Sequence, residues 1–352
     1  MTNKILFERQ ADWGVVTINN EEALNALDWD MVKALHKQLI GWAAENAVKA
    51  VLIKSAGEKA FCAGGDIRWL YKNAKTDPAG ASEFFRDEYT TNALIYHYPK
   101  PYVALIDGIT MGGGVGLSVH GDFRVAGDRT LFAMPETGIG LFPDVGGGHF
   151  LPRLNDGLGL YYALTGARAK AADCMAAGIA THFTTSDRHG ALANALFSAP
   201  LGDSAHADIE AVLDEFSDDP GHAGINNIRG AIREHFEYAN SMEGLMAALG
   251  GASDEFAAGV LTTLSRMSPT SMKLTFEQLK RGHELDFDET MKMEFRMVRR
   301  VMEGHDFFEG VRAQIIDKDR NPNWKPAEIS DVSDDEAAQY FEPLGDDELT
   351  LP

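Results

Sequence analysis

Gly108-Ile109-Thr110-Met111-Gly112-Gly113-Gly114-Val115-Gly116-Leu117-Ser118-Val119-His120-Gly121 compresses a strand end, three consecutive glycines and a helix start into fourteen residues. Without Cβ atoms, such a run lets backbone N–H groups come close to a ligand. At a helix N-terminus those amides favour negative charge, and they can hold a developing oxyanion without a metal or a cationic side chain. Chemistry at a carbonyl is therefore the first functional reading. Taken alone, a glycine run more often marks only a tight helix–strand contact.

The surroundings shift that balance. Upstream, Lys59-Ala60-Phe61-Cys62-Ala63-Gly64-Gly65-Asp66-Ile67 forms a second glycine turn after the apolar run Ala50-Val51-Leu52-Ile53. Downstream, Phe132-Ala133-Met134-Pro135-Glu136-Thr137-Gly138-Ile139-Gly140-Leu141-Phe142-Pro143-Asp144-Val145-Gly146-Gly147-Gly148 sets two carboxylates among glycines and apolar residues. Gly138, Gly140 and Pro143 break the segment, so one helix is not expected to present both acids.

These blocks, with Ala23-Leu24-Asn25-Ala26-Leu27 and Leu164-Thr165-Gly166-Ala167-Arg168, resemble the crotonase (enoyl-CoA hydratase/isomerase) superfamily. Within it, Gly108 to Gly121 and Phe132 to Arg153 are similar to the branch that hydrolyses acyl-CoA thioesters. The resemblance implies an α/β fold, a spiral of β-β-α units, with an α-helical insertion and a helical C-terminal region. It divides the chain into a core with the thioester site at 1–190 and the helical insertion and C-terminal region at 191–352. It also implies that the amides of Gly65 and Gly113 form the oxyanion hole, that the Ala63 backbone contacts adenine, and that Glu136 and Asp144 are the acidic pair at the thioester. Glu88 matches a substrate-binding glutamate. Family hydratases carry a second glutamate at the position of Gly116, which has no side chain, and hydration across a double bond is hard to build with one acid/base group missing.

The expected activity is hydrolysis of an acyl-CoA thioester, 3-hydroxyisobutyryl-CoA in valine degradation foremost. Two alternatives stay open: a hydratase or isomerase working with one acid, and a non-catalytic CoA-binding module. Coenzyme A enters as part of the substrate, so no separate cofactor and no metal are expected. Crotonases commonly form trimers or dimers of trimers, which makes a homo-oligomer the expected state.

Bland readings accompany the acids. Arg86, Asp87 and Glu88 form an ordinary charged helix face, and Asp144 after Pro143 could begin a turn or cap a helix. Glu136, among apolar neighbours that would raise its pKa, is harder to dismiss. Asp66 is better placed to cap the following helix than to do chemistry. Ser118 and His120 do not sit in a G-x-S-x-G elbow, and two residues apart on a helix they would not face each other.

With 352 residues and 45% apolar content, the chain can support a substantial core in one large domain or two smaller ones. It opens with no secretory apolar stretch and has no run able to span a bilayer, so no membrane partner is expected. Cys62 and Cys174 are too few for a disulfide framework and lack metal-ligand spacing with histidines. A soluble, reducing compartment is expected, the cytoplasm. The formal net charge of −21 argues against nucleic acid. It is also awkward for the phosphates of coenzyme A, which would need local cations; Lys54, Arg68, Lys72 and Lys75 near the second glycine turn are candidates.

Strand-like runs at 14–18, 50–54, 102–106 and 123–126 alternate with helical stretches at 30–45 and 81–96, an order that predicts parallel strands with crossover helices. From about Arg188 the pattern turns helical and acidic, with segments at 191–197, 207–216, 225–239 and 253–267. Ser268-Pro269 opens a further helix. The roughly 75 residues before it are an insertion by the family's pattern, and the acidic, proline-bearing tail from Asn321 is expected to wrap the surface or fray.

Overall fold

A computed structural model describes Thr2–Leu351. By contacts the chain divides into two compact units that interleave along the sequence. One comprises Met1–Gly65, Thr91–Phe132 and Ala169–Ile225, the other Asp66–Thr90, Ala133–Arg168 and Asn226–Pro352.

The first unit is built on a six-stranded sheet. Its strands are β1 (Ile5–Gln10), β2 (Trp13–Ile18), β3 (Ala50–Ser55), β5 (Tyr102–Ile106), β7 (Phe123–Ala126) and β10 (His182–Phe183), in that spatial order. β1 and β2 form an antiparallel hairpin, and every later pairing is parallel. The expected strands are all present. A smaller sheet orders β4 (Ala60–Cys62), β6 (Ile109–Met111), β8 (Leu131–Ala133) and β9 (Ala169–Lys170) as β4-β6-β8-β9.

Both faces of the larger sheet are covered, which is why its strands read as continuous apolar runs rather than alternating ones. On one face Trp13, Val15, Ala50, Leu52, Val103, Leu105, Phe123 and Val125 pack with Leu192, Leu196, Ile209 and Leu213. On the other, the helix α1 (Trp29–Ala44) brings Trp42 so close to β2 that a Cβ on Gly14 would collide with its indole.

The helices His189–Ser198 and Ala205–Phe216 thus belong with the sheet, because their Leu and Ile residues fill its face, and the Trp13 indole donates to the Leu196 carbonyl at 3.0 Å. The expected boundary at 190/191 is therefore not where the contacts divide. The inserted stretch is shared: its first two helices stay with the first unit, and the chain from Asn226 joins the second.

The second unit is mainly helical. It includes α2 (Ile67–Ala74), the first part of α3 (Pro78–Tyr96), and the long helices Pro269–Gly282 and Phe287–Val301. Ser268 caps the former as expected, accepting from the Ser271 N–H at 3.1 Å with Pro269 in the first turn. The expected helix 225–239 ends early, at Ile232, and continues as a π turn over Arg233–Glu237. A helix at Met242–Gly251, capped by Ser241, was not anticipated. The tail wraps rather than frays: Trp324, Phe341 and Leu349 are buried, and the Trp324 indole donates to the Arg266 carbonyl at 3.1 Å.

Candidate active site

In the first unit the two glycine turns lie side by side. Gly64 adopts φ +108°, and a Cβ there would approach the Met111 carbonyl oxygen at 3.4 Å and the Gly113 nitrogen at 3.7 Å. A Cβ on Gly114 would run into the Cys62 carbonyl, so the two backbones need glycine to come this close. Gly113 is the first residue of α4 (Gly113–Gly116), so its N–H has no intrahelical acceptor. Gly65 pairs with Leu27 through a bridge in which the Leu27 N–H donates to Gly64 O at 2.8 Å, an exchange that does not use the Gly65 N–H. Ala63 donates its N–H to Leu24 O at 3.1 Å. Gly116 is buried, its N–H directed to Gly112 O at 3.3 Å.

Ser118 is fully buried and turns its hydroxyl onto the carbonyls of Gly114 and Val115, at 2.8 and 3.1 Å, which removes it as a nucleophile.

The three candidate acids lie in the second unit. Glu136 opens a 3-10 turn, Glu136–Ile139, and Asp144 follows in the loop before α5 (Gly147–Phe150), so two different elements present them, as their glycine-broken spacing predicts. Glu88 projects from α3. All three are buried, with relative exposures of 3% for Glu88, 5% for Glu136 and 4% for Asp144. The charged-face reading of Glu88 is thereby corrected: the apolar side of α3, not solvent, receives it.

Glu88 Oε1 and Glu136 Oε2 are buried without a hydrogen-bond partner, whereas Asp144 accepts from the Tyr89 hydroxyl at 2.8 Å. Burial, with the Asp144 charge as a second cause, holds the Glu88 and Glu136 carboxyls well above the usual carboxylate range. Burial also lifts Asp144, to about 6, against hydrogen bonds from Tyr89 and its own backbone that favour the charged form. Buried acids left partly unsatisfied and crowded by like charge cost stability, and such clusters concentrate at sites of chemistry.

Sequence reading missed the group that holds the Asp144 loop. Glu294, fully buried on the helix Phe287–Val301, accepts from the N–H groups of Gly146 and Gly148, both at 2.8 Å. Gln278, from Pro269–Gly282, donates to Pro143 O at 2.8 Å and to Glu294 Oε1 at 3.0 Å. Backbone on both sides of Asp144 is thus fixed, including Val145 at φ +53°. Burial raises Glu294 to about 8 against the pull of those hydrogen bonds. The available signal was periodicity: Glu294 falls three residues after Met291 and four before Val298, on the apolar face.

A carboxyl whose pKa is higher in the folded than in the unfolded state makes the folded protein bind more protons. Stability is then greatest below the ordinary carboxylate pKa and is lost as pH rises through the folded values. Glu88, Glu136 and Glu294 all have this sign. The urea midpoint is therefore expected to fall between about pH 5 and pH 8, and to fall less in Glu136→Gln, which has no proton to lose. Identical slopes in the two proteins would show that Glu136 is not held protonated.

Asp66 caps α2, accepting from the Trp69 N–H at 3.0 Å. Of the candidate cations, Arg68 donates to Ile315 O at 2.8 Å, and Lys75 lies over the Tyr71 ring with a 2.6 Å hydrogen bond to its hydroxyl.

The family model described as enoyl-CoA hydratase/isomerase matches residues 13–341. A protein named 3-hydroxyisobutyryl-CoA hydrolase, mitochondrial, from Rattus norvegicus is 46% identical over 354 residues, covering 99% of this chain and 91% of that one. Its namesake from Homo sapiens is 44% identical over 353 residues, covering 98% and 90%. The mitochondrial names give the cytoplasmic expectation no support. Among solved structures, a carnitinyl-CoA dehydratase from Mycobacterium thermoresistibile superposes with a TM-score of 0.91 at 36% identity, covering 99% of both chains. An enoyl-CoA hydratase from Rhodobacter sphaeroides gives 0.88 at 35%, covering 99% of this chain and 100% of that one. With the spiral α/β architecture, the paired glycine turns and a family match over nearly its whole length, the chain belongs to the enoyl-CoA hydratase/isomerase family.

Proposed function

We propose that the protein hydrolyses 3-hydroxyisobutyryl-CoA to 3-hydroxyisobutyrate and free coenzyme A, with Glu136 as nucleophile or base. The observation that carries this reading is the buried trio Glu88, Glu136 and Asp144, combined with a bare glycine at 116 where a hydratase needs its second acid. The names of the relatives at about 45% identity support the same substrate.

The amides of Gly65 and Gly113 receive the thioester oxygen, and they stabilise the negative charge of a tetrahedral intermediate more than they stabilise a neutral carbonyl. In one route the Glu136 carboxylate adds to the carbonyl carbon, the C–S bond breaks and the thiolate leaves to be protonated; water then splits the mixed anhydride and restores Glu136. In the other, Glu136 takes a proton from water as that water attacks the same carbon; the tetrahedral intermediate then collapses, the C–S bond breaks, and the proton passes from Glu136 to the departing thiolate. Asp144 orients the water or relays the proton, and Glu88 accepts a hydrogen bond from the 3-hydroxyl. Coenzyme A enters as part of the substrate, no cofactor takes part, and the enzyme works as a homo-oligomer.

Both routes need Glu136 ionised. Because burial holds Glu136 well above the ordinary range, kcat/KM is expected to rise with pH as Glu136 ionises, and to lose the contribution of Asp144 as well below about 6, where that carboxyl takes up a proton.

Reaction class is tested by two separate signals. Supplied with 3-hydroxyisobutyryl-CoA, the enzyme should release thiol detectable with a thiol reagent; supplied with crotonyl-CoA, it should remove enoyl absorbance slowly or not at all. Rapid loss of enoyl absorbance with no thiol from either substrate would promote the hydratase reading. Tight CoA binding with no turnover of any acyl-CoA would leave a binding module. For Glu88, the expected result is a ratio: Glu88→Ala should penalise 3-hydroxyacyl thioesters more than unsubstituted ones, and equal losses would remove Glu88 as reader of the hydroxyl.

A further inference from the structure

Tyr89 is one residue from Glu88, yet its side chain serves a different acid. Its hydroxyl donates to Asp144 Oδ2 at 2.8 Å, and its ring is wedged between Phe85, with centroids 5.9 Å apart, and Phe295 on the helix Phe287–Val301, 6.5 Å away at an interplanar angle of 84°. The side chain is fully buried, so aromatic packing rather than solvent fixes where the hydroxyl points. The acids around Asp144 are Glu88, Glu136 and Glu294, but among the described residues the side chain that donates to its carboxylate is Tyr89. Tyr89 thus adds a donor held in place by packing to the hydrogen bond that Asp144 takes from its own backbone.

We infer that Tyr89 is a positioning residue for Asp144: its phenol holds one carboxylate oxygen, favours the ionised form of that carboxyl and leaves the other oxygen for the water or proton handled in turnover. Glu294 and Gln278 fix the same residue from its backbone, at Gly146, Gly148 and Pro143. Asp144 is thereby held from both ends, as the alignment of a reacting water requires. The inference rests on the catalytic role proposed for Asp144.

The experiment uses Tyr89→Phe, Asp144→Asn and the double variant, with 3-hydroxyisobutyryl-CoA as substrate and thiol release as the signal. Phe keeps the ring between Phe85 and Phe295 and removes only the hydroxyl. Tyr89→Phe is expected to lower kcat about 10- to 100-fold with KM within about twofold, since the hydrogen bond acts on the water and not on the acyl-CoA. In the Asp144→Asn background the same change should cost nothing further. Tyr89→Phe with unchanged kcat, or with the same fractional loss in both backgrounds, overturns the inference while leaving Asp144 in its role. Full activity in Asp144→Asn alone overturns both. If Tyr89→Phe is poorly folded, Tyr89→Trp, whose indole N–H can donate in place of the hydroxyl, serves as the second variant: partial recovery of kcat over Tyr89→Leu supports the hydrogen bond, and equal kcat in the two overturns it.

Discussion

A Glu136→Gln enzyme is expected to lose about three orders of magnitude in kcat while binding coenzyme A as well as the parent. The amide keeps the volume of the carboxyl and removes both its charge and its basicity. The 3-10 turn that carries it is held by other contacts, the Gly138 N–H on Pro135 O at 3.0 Å and the Leu141 N–H on Glu136 O at 3.0 Å, and none of these uses the carboxyl. Oε2 has no partner to lose. Structure should therefore survive, and the thermal midpoint at neutral pH should rise, because an unsatisfied buried acid has been replaced by a neutral group. Thiol release at a tenth of the parental rate or better, from a folded variant, would falsify the assignment.

The second large effect is on stability. Glu294→Ala strips the acceptor from two buried backbone amides and from Gln278, and opens a cavity behind the Asp144 loop. A cost of about 2–5 kcal/mol in urea unfolding is expected. Glu294→Gln should fall between, since its amide can accept at one oxygen but must turn its NH2 toward another donor. The loop carries Val145 at φ +53°, a conformation that β-branched residues avoid, so loss of the clamp should also lower kcat by letting the loop relax. A midpoint within about 0.5 kcal/mol of the parent's would mean that Gly146 and Gly148 find other acceptors without penalty.

The fold was legible wherever the physics was local. Both faces of the sheet are covered, so its strands announced themselves as apolar runs, and Ser268-Pro269 and Asp66 marked helix starts through capping chemistry that needs only neighbouring residues. Glycine turns and candidate acids stood out because glycine and buried carboxyls are costly without a reason. What escaped was long-range. Glu88 read as part of a charged helix face because Arg86 and Asp87 precede it, and only the packing of α3 shows which side is buried. Glu294 meets the Asp144 loop across more than a hundred residues of chain, with nothing nearby in sequence to announce the partner. The split of the insertion was equally invisible, since Leu192 and Leu213 declare only that they will be buried, not against what.

Interleaving of the two units has a consequence for the order in which the polypeptide leaves the ribosome. Everything the first unit needs, including both glycine turns, has been synthesised once Ile225 is out, so its sheet can close while the C-terminal third is still being made. Glu88, Glu136 and Asp144 have emerged by then too, but Gln278 and Glu294 have not. At roughly 5–20 residues per second the acid-bearing loop waits about 7–30 seconds for its clamp. Nascent chains arrested before Glu294 should therefore carry a protease-resistant sheet beside an Asp144 segment that proteases still cut, and the carboxyls would become buried only as the final helices arrive.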